Sequence, residues 1–179
     1  MRRRRRITVL VVTGALLLTT VAGTALAKTF VCQSNPCVGT RKADDITGTS
    51  GADTIKGRGG ADIIHAFGGN DEVFGGGGYD TIAGLDDDDR LFGEGGRDNM
   101  DGGTGDDEIF GGSSNDTLAD RGGGPDGISL GDVDVLVGGP GFDIFYTDDG
   151  DNFDTICDDG SFAIGGQDSR DQINPASCP

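Results

Sequence analysis

An aspartate returns at every ninth residue through the middle of this chain, and an apolar residue follows each aspartate two places later. Residues 39–119 divide into nine consecutive nonapeptides with no insertion between them. Position six is aspartate in all nine, namely Asp44, Asp53, Asp62, Asp71, Asp80, Asp89, Asp98, Asp107 and Asp116. Position eight is apolar in all nine, namely Ile46, Ile55, Ile64, Val73, Ile82, Leu91, Met100, Ile109 and Leu118. A fixed period of this length predicts a solenoid in which neighbouring repeats bury a shared core.

Glycine occupies two further positions of the nonapeptide. Position one is glycine in every repeat except the one that begins at Ala66, and position four is glycine in six repeats. Glycine permits positive φ and close backbone approach, so positions one to six predict a tight turn. Positions seven to nine then form a short strand with one inward side chain, and two repeats close one coil. The glycines expected to supply turn backbone are Gly48, Gly51, Gly57, Gly60, Gly69, Gly75, Gly78, Gly93, Gly96, Gly102 and Gly105.

Stacked coils place the aspartates of alternate repeats above one another. One predicted column contains Asp53, Asp71, Asp89 and Asp107, and the other contains Asp44, Asp62, Asp80, Asp98 and Asp116. Carboxylates spaced at about 4.8 Å, the usual distance between strands, repel one another unless a cation lies between them. Lysine and arginine are too scarce for this, with 14 against 31 acidic residues. A divalent ion bound by carboxylate and carbonyl oxygens meets the need, and calcium suits a flexible loop better than magnesium.

The nonapeptides GTSGADTIK, GRGGADIIH and GGTGDDEIF resemble the RTX, or haemolysin-type, calcium-binding repeat G-G-x-G-x-D-x-U-x. The resemblance implies an all-β, right-handed parallel β-roll. It also implies that several calcium ions are held in the turns by the position-six aspartates and by backbone carbonyls. Position four departs from the family pattern at Lys42, Asp87 and Ser114, in the first, sixth and ninth turns.

The repeat weakens after residue 119. We interpret residues 120–157 as degenerate repeats, whose additional candidate ligands are Asp134, Asp143 and Asp154. The nonapeptide 120–128 has Pro125 where the aspartate belongs, which predicts an irregular turn. Residues 28–38 and 158–179 are expected to cap the two ends, because a solenoid has to cover its terminal strand edges and apolar layer.

Residues 1–27 have the features of a secretory signal peptide. Five arginines precede an apolar segment, and the small residues of Ala25-Leu26-Ala27 predict cleavage between Ala27 and Lys28. The alternative is an uncleaved membrane anchor, but the apolar run of about 17 residues is short for a span that needs about 20. We therefore expect an extracellular protein.

All four cysteines lie outside the nine regular repeats. An even number of cysteines in an exported chain indicates disulfides, and four cysteines allow three pairings. The preferred pairing is Cys32–Cys37 and Cys157–Cys178, with one bridge at each end of the repeats. A zinc site is the alternative, but four residues separate Cys32 from Cys37 and no histidine is near.

Composition and charge restrict the possible functions. Only 34% of the chain is hydrophobic and 35 of its 179 residues are glycine, so we expect disorder without calcium and folding coupled to calcium binding. After residue 27, nine basic residues face 31 acidic ones, a net charge of −22, which disfavours nucleic acid and anionic membranes as partners. No metalloprotease, hydrolase or phosphate-loop motif occurs, and His65, the single histidine, is expected to be solvated.

These observations together predict a secreted, non-catalytic calcium-binding β-roll that does not insert into membranes after signal cleavage. An alternative is a cell-surface adhesion or scaffold module that uses calcium only structurally. Such a module would bind its partner through an outward stripe of Phe74, Phe92 and Phe110. A third possibility is an enzyme with an unrecognised acidic site.

Overall fold

Two parallel β-sheets face each other, and successive strands of the chain alternate between them. A computed structural model describes residues 28–120, 134–147, 155–158, 162–167 and 172–173. Every strand in these ranges belongs to one of the two eight-stranded sheets, and every pairing is parallel. The described residues contain no helix, so none that could span a membrane. This confirms the predicted parallel β-roll.

We name the sheets by the parity of their strands. The odd sheet contains β1 (Lys28–Val31), β3 (Asp44–Thr47), β5 (Ile63–Gly68), β7 (Thr81–Asp86), β9 (Asn99–Thr104), β11 (Thr117–Ala119), β13 (Asp143–Thr147) and β15 (Phe162–Gln167). The even sheet contains β2 (Cys37–Val38), β4 (Thr54–Gly59), β6 (Glu72–Gly78), β8 (Arg90–Gly96), β10 (Glu108–Phe110), β12 (Val135–Val137), β14 (Thr155–Cys157) and β16 (Gln172–Ile173).

The register of the sheets follows from the nine-residue period. Ile46 pairs with Ile64 in the odd sheet and Ile55 pairs with Val73 in the even sheet, so each strand meets the one two repeats later. The position-eight side chains therefore stack in two rows that face each other. Each of the nine is at most 1% exposed, and Leu136, Phe145 and Ile156 continue the rows after the regular repeats. These rows are the predicted narrow core.

Several strands are longer than the three residues predicted, because they continue into the following turn. In β4, both Ile55 and Gly57 are buried, so position one lies inside a strand rather than within the turn. A Cβ on Gly57 would stand only 2.6 Å from the Asp62 Oδ2 oxygen. Position one therefore requires glycine for close approach, and φ at Gly57 lies outside the left-handed region.

Positive φ occurs instead at positions two and four. Position four confirms the prediction, for example at Gly60 with φ of 120°. Position two is occupied by Arg58, Phe67, Leu85 and Glu94 in four repeats, with φ between 71° and 95°. All four of these side chains are exposed, so the left-handed turn at position two directs them into solvent.

The strand pairings that span residues 121–133 are nine residues longer than those of the regular repeats. The pairing of Ile109 with Leu136 and that of Leu118 with Phe145 each span 27 residues, where the regular repeats span 18. The excess lies in residues 120–134, of which 121–133, including Pro125, are outside the described residues. The described strands then resume their alternation, and the pairing of Leu136 with Ile156 spans two residues more than a regular pairing.

Strands outside the regular repeats extend both sheets. β1 and β2 precede the first repeat. The predicted disulfide links Cys32, which directly follows β1, to Cys37, the first residue of β2. β15 and β16 lie within residues 158–179 and continue the two sheets. Residues 1–27, with the proposed signal peptide, and Asp154 and Cys178 lie outside the described residues. The pairing Cys157–Cys178 therefore stays a prediction.

An aromatic ladder lies on the outer face of the even sheet. The rings of Phe74, Phe92 and Phe110 are half-buried, with centroids 5.0 Å apart and planes within 9° of parallel. The Lys56 Nζ lies 5.1 Å from the Phe74 ring, and the Arg90 guanidinium lies 5.4 Å from the Phe92 ring. The predicted aromatic stripe is therefore present, and its rings cover one another's faces.

Candidate metal centre

The position-six aspartates form two columns inside the roll, one on each side of the apolar core. Each column is held by a hydrogen bond from the backbone N–H of one aspartate to the Oδ1 of the aspartate 18 residues later. The Asp44 N–H, for example, donates to Asp62 Oδ1 at 2.7 Å, and the Asp53 N–H donates to Asp71 Oδ1 at 2.7 Å. The same bond joins every later pair of regular repeats in both columns. The two predicted columns are confirmed.

Asp134 and Asp143 continue these columns beyond the regular repeats. The Asp107 N–H donates to Asp134 Oδ1 at 2.5 Å, and the Asp116 N–H donates to Asp143 Oδ1 at 2.7 Å. Both pairs are separated by 27 residues, so the columns pass over the extra nonapeptide without interruption.

The second carboxylate oxygen of most regular repeats is buried and unpaired. Within the part of the chain that the structure describes, Oδ2 has no hydrogen-bond partner in Asp62, Asp71, Asp80, Asp89, Asp98, Asp107 and Asp116. Each of these seven side chains is at most 2% exposed. We call them the half-paired carboxylates, because Oδ1 accepts a backbone hydrogen bond and Oδ2 accepts none. A buried charged oxygen without a partner is costly, and its repetition in seven turns points to a cation.

Glycines at position one pack directly against these oxygens. A Cβ at Gly75 would stand 2.7 Å from Asp80 Oδ2, and one at Gly111 would stand 2.7 Å from Asp116 Oδ2. Both glycines are buried. A side chain at either position would therefore overlap the carboxylate.

Burial raises the pKa values of the half-paired carboxylates, because the surroundings disfavour the charged form. The pKa of Asp89 rises to about 7 and that of Asp107 to about 8. In Asp62, Asp71, Asp80, Asp98 and Asp116 it rises to about 6. The backbone hydrogen bond to Oδ1 lowers each pKa, whereas the neighbouring aspartates of the same column raise it further. A cation beside Oδ2 would lower these pKa values again, because it stabilises the ionised carboxylate.

Threonines replace the missing partner in the first two turns. Asp44 Oδ2 accepts hydrogen bonds from the Thr40 N–H at 2.6 Å and from the Thr40 hydroxyl at 2.8 Å. Asp53 Oδ2 accepts the same pair of bonds from Thr49, at 2.7 and 2.9 Å. Sequence reasoning missed this arrangement, although threonine at position two occurs in these two repeats alone among the nine. These two aspartates therefore differ from the half-paired carboxylates.

Sequence reasoning also missed Asp120. It directly follows β11, is 1% exposed, and contributes a carboxylate to a cluster with Asp107 and Asp134. Asp120 is the single acidic residue at position one of the nine-residue frame from residue 39 to residue 146. This departure from glycine was the available signal.

The donor set of the columns suits calcium. Calcium takes six to eight oxygen ligands, from carboxylates and from backbone carbonyls, in a flexible geometry. The half-paired carboxylates supply one free anionic oxygen per turn, and backbone carbonyls line the glycine-rich turns beside them. Histidine and thiolate ligands, which favour zinc, are absent from the described columns.

A family model identifies the repeat. The RTX calcium-binding nonapeptide repeat, a model of four copies, matches residues 38–66, 47–82, 65–100, 83–118 and 129–153. No curated protein and no solved structure matches the chain. The family matches cover more than half of the 179 residues and leave out residues 119–128, next to the pairings that span an extra nonapeptide. The repeats of this family bind calcium, and the stacked aspartates fit that activity. The chain therefore belongs to the RTX calcium-binding nonapeptide-repeat family.

Proposed function

We propose that this protein is an exported calcium-binding β-roll that folds when calcium binds and has no catalytic role. The observation that carries the proposal is the set of seven half-paired carboxylates, each buried with one oxygen unpaired. Bringing these groups together in water requires either protonation or a cation, because unpaired charges in a buried site are strongly unfavourable.

Calcium binding would be coupled to folding for the same reason. The core is two rows of single side chains, which is thin for a chain of 179 residues with 35 glycines. A ligand that binds the folded state alone stabilises it in proportion to its binding free energy. Without calcium, repulsion and desolvation in the two columns oppose folding, so we expect the calcium-free chain at neutral pH to be largely unfolded.

All nine position-six aspartates remain our proposed ligands, but they are not equivalent. The half-paired carboxylates are the principal ligands, together with turn carbonyls. Asp53 is a weaker ligand, because Thr49 already donates to its Oδ2. Asp44 accepts the Thr40 bonds at Oδ2 but keeps a buried Oδ1 without a hydrogen-bond partner among the described residues. Asp134 and Asp143 extend the set, and Asp154 remains a candidate outside the described residues.

Export rests on the signal-peptide features of residues 1–27 and on the disulfide. The bridge between Cys32 and Cys37 fits an oxidising compartment, and RTX repeat proteins are typically secreted. We also propose that residues 28–38 and 158–179 cap the roll, and that residues 120–157 are its degenerate repeats.

The non-catalytic part of the proposal rests on the chemistry of the described side chains. His65, the single histidine, is half-buried on a sheet face, with its ring 6.5 Å from that of Phe67. The stacking of Phe74, Phe92 and Phe110 between coils accounts for the aromatic ladder without a partner. We therefore favour calcium-dependent folding over an adhesion surface.

The test is far-ultraviolet circular dichroism of the purified, oxidised protein, titrated with calcium and separately with magnesium. We expect a steep coil-to-strand transition in calcium and little change in magnesium at equal concentration. Asp89→Asn should raise the calcium midpoint, because Asn keeps an oxygen acceptor for the Asp71 N–H but loses the anionic ligand. Asp45→Asn, at a half-buried position outside the columns, is the matched control and should leave the midpoint unchanged.

A strand-rich spectrum in EDTA at neutral pH that does not respond to calcium would refute the proposal. Equal midpoints for Asp89→Asn and Asp45→Asn would show that the columns are not the calcium ligands.

A further inference from the structure

Asp120 brings a third carboxylate to one turn of the roll. In the other turns of the regular repeats, position one is glycine or, at Ala66, alanine, and each turn contains one inward aspartate. Asp120 stands at position one after β11, one coil beyond Gly102, on the same edge of the roll. Its carboxylate lies close to those of Asp107 and Asp134, so this edge of the roll holds an additional acidic side chain.

The three carboxylates are close and buried. Ligand oxygens of Asp107, Asp120 and Asp134 all lie within 4.8 Å of one another, and the three side chains are at most 1% exposed. Asp107 and Asp134 are consecutive members of one column, joined by the bond from the Asp107 N–H to Asp134 Oδ1. Three negative charges at this separation, away from water, repel one another strongly.

An independent observation concerns Asp107, which keeps one unpaired oxygen in this cluster. Asp107 Oδ2 is buried and has no hydrogen-bond partner among the described residues. The next inward position beside it is Gly102, which has no side chain to cover this oxygen.

We propose that Asp107, Asp120 and Asp134 form a three-carboxylate calcium site, the tightest in this molecule. The inference rests on the proposed function and adds to it a site that the repeat pattern does not contain. Affinity for calcium rises with the number of charged ligands, and this turn supplies more of them than a regular turn does. Asp120 and Asp134 flank residues 121–133, so an ion bound here would also join the two ends of the extra nonapeptide.

Isothermal titration calorimetry with calcium chloride on the full chain tests the site. Three variants are compared with the unmodified protein: Asp120→Asn, Asp120→Gly and the charge-matched control Asp45→Asn. Asp120→Gly introduces the residue found at position one of the neighbouring turns. It therefore provides a folded variant that tests the site if Asp120→Asn disturbs folding. Circular dichroism in saturating calcium verifies that each variant folds.

We expect a tight first phase of one ion in the unmodified protein and in Asp45→Asn. In both Asp120 variants this phase should weaken by about tenfold or more, or disappear, while the later phases remain. A tight phase of equal affinity and stoichiometry in the Asp120 variants and in Asp45→Asn would overturn the inference and leave the proposed function standing. An absence of calcium binding in the unmodified protein would overturn both.

Discussion

Alanine at two adjacent glycines should have opposite effects on this roll. Gly77 and Gly78 occupy positions three and four of one turn. A Cβ on Gly77 would meet no atom closer than the Gly95 carbonyl oxygen, at 3.9 Å, and its φ is outside the left-handed region. A Cβ on Gly78 would stand 2.6 Å from the Gly60 carbonyl carbon and closer still to the Gly60 oxygen, and Gly78 has φ of 149°.

These contacts set the expected magnitudes. Gly78→Ala combines a disfavoured φ, which costs about 1–3 kcal/mol, with an overlap against backbone that cannot rotate away, which costs about 1–3 kcal/mol more. We therefore expect its free energy of unfolding to fall by about 2–6 kcal/mol. Gly77→Ala should be neutral or stabilising by up to about 1 kcal/mol, because alanine restricts the unfolded chain more than glycine does.

Urea unfolding in saturating calcium, followed by circular dichroism, measures the difference between the two variants. The calcium midpoint should also rise for Gly78→Ala, since a less stable roll needs more calcium to fold. If the two variants unfold within about 0.5 kcal/mol of each other, the close stacking of position four against the preceding coil is not as described.

Three further predictions concern the carboxylates themselves. In saturating calcium, the free energy of unfolding of Asp80→Ala should be about 1–3 kcal/mol lower than that of Asp80→Asn, because only Asn keeps an acceptor for the buried Asp62 N–H. Urea unfolding of the two variants measures this difference. In EDTA, the roll should gain strand content as pH falls below about 6. The raised pKa values, from about 6 to about 8, mean that folding takes up protons, so this stabilisation is lost as pH rises through those values; a dichroism titration that shows less structure in acid would contradict it. Thr49→Val should destabilise the calcium-loaded roll by about 1 kcal/mol through loss of the hydroxyl bond to Asp53, and unchanged urea unfolding would show that this bond contributes nothing.

The period of the sequence predicted the features that depend on the period alone. A nine-residue repeat with one inward apolar residue specifies two alternating strands per coil, because two repeats return the chain to the same sheet. The pairing of Ile46 with Ile64 and the column from Asp44 to Asp116 follow directly. Side-chain positions that repeat in every coil can therefore be predicted from the sequence alone.

Features that depend on the environment of one turn were not predictable in this way. Positive φ at Arg58 and Phe67 breaks the rule that glycine marks such positions, and it is tolerated because these side chains point into solvent. A count along the chain also does not reveal which repeats pair with each other, so the 27-residue spacing from Ile109 to Leu136 was not predictable from the frame. The bonds from Thr40 to Asp44 depend on atoms meeting within one turn, which the repeat pattern does not encode.

The column hydrogen bonds run in one direction only. Each aspartate donates its N–H to the carboxylate of the following coil, so the last coil of any fragment has a spare donor and the first coil has a spare acceptor. The two cut ends of such a fragment are therefore complementary to each other and not to themselves. Contacts of this kind are heterologous and do not close, so truncated pieces of this protein should grow end to end into filaments rather than pair as dimers. We expect residues 28–38 and 158–179, the proposed caps, to prevent this growth and so keep the roll a single particle.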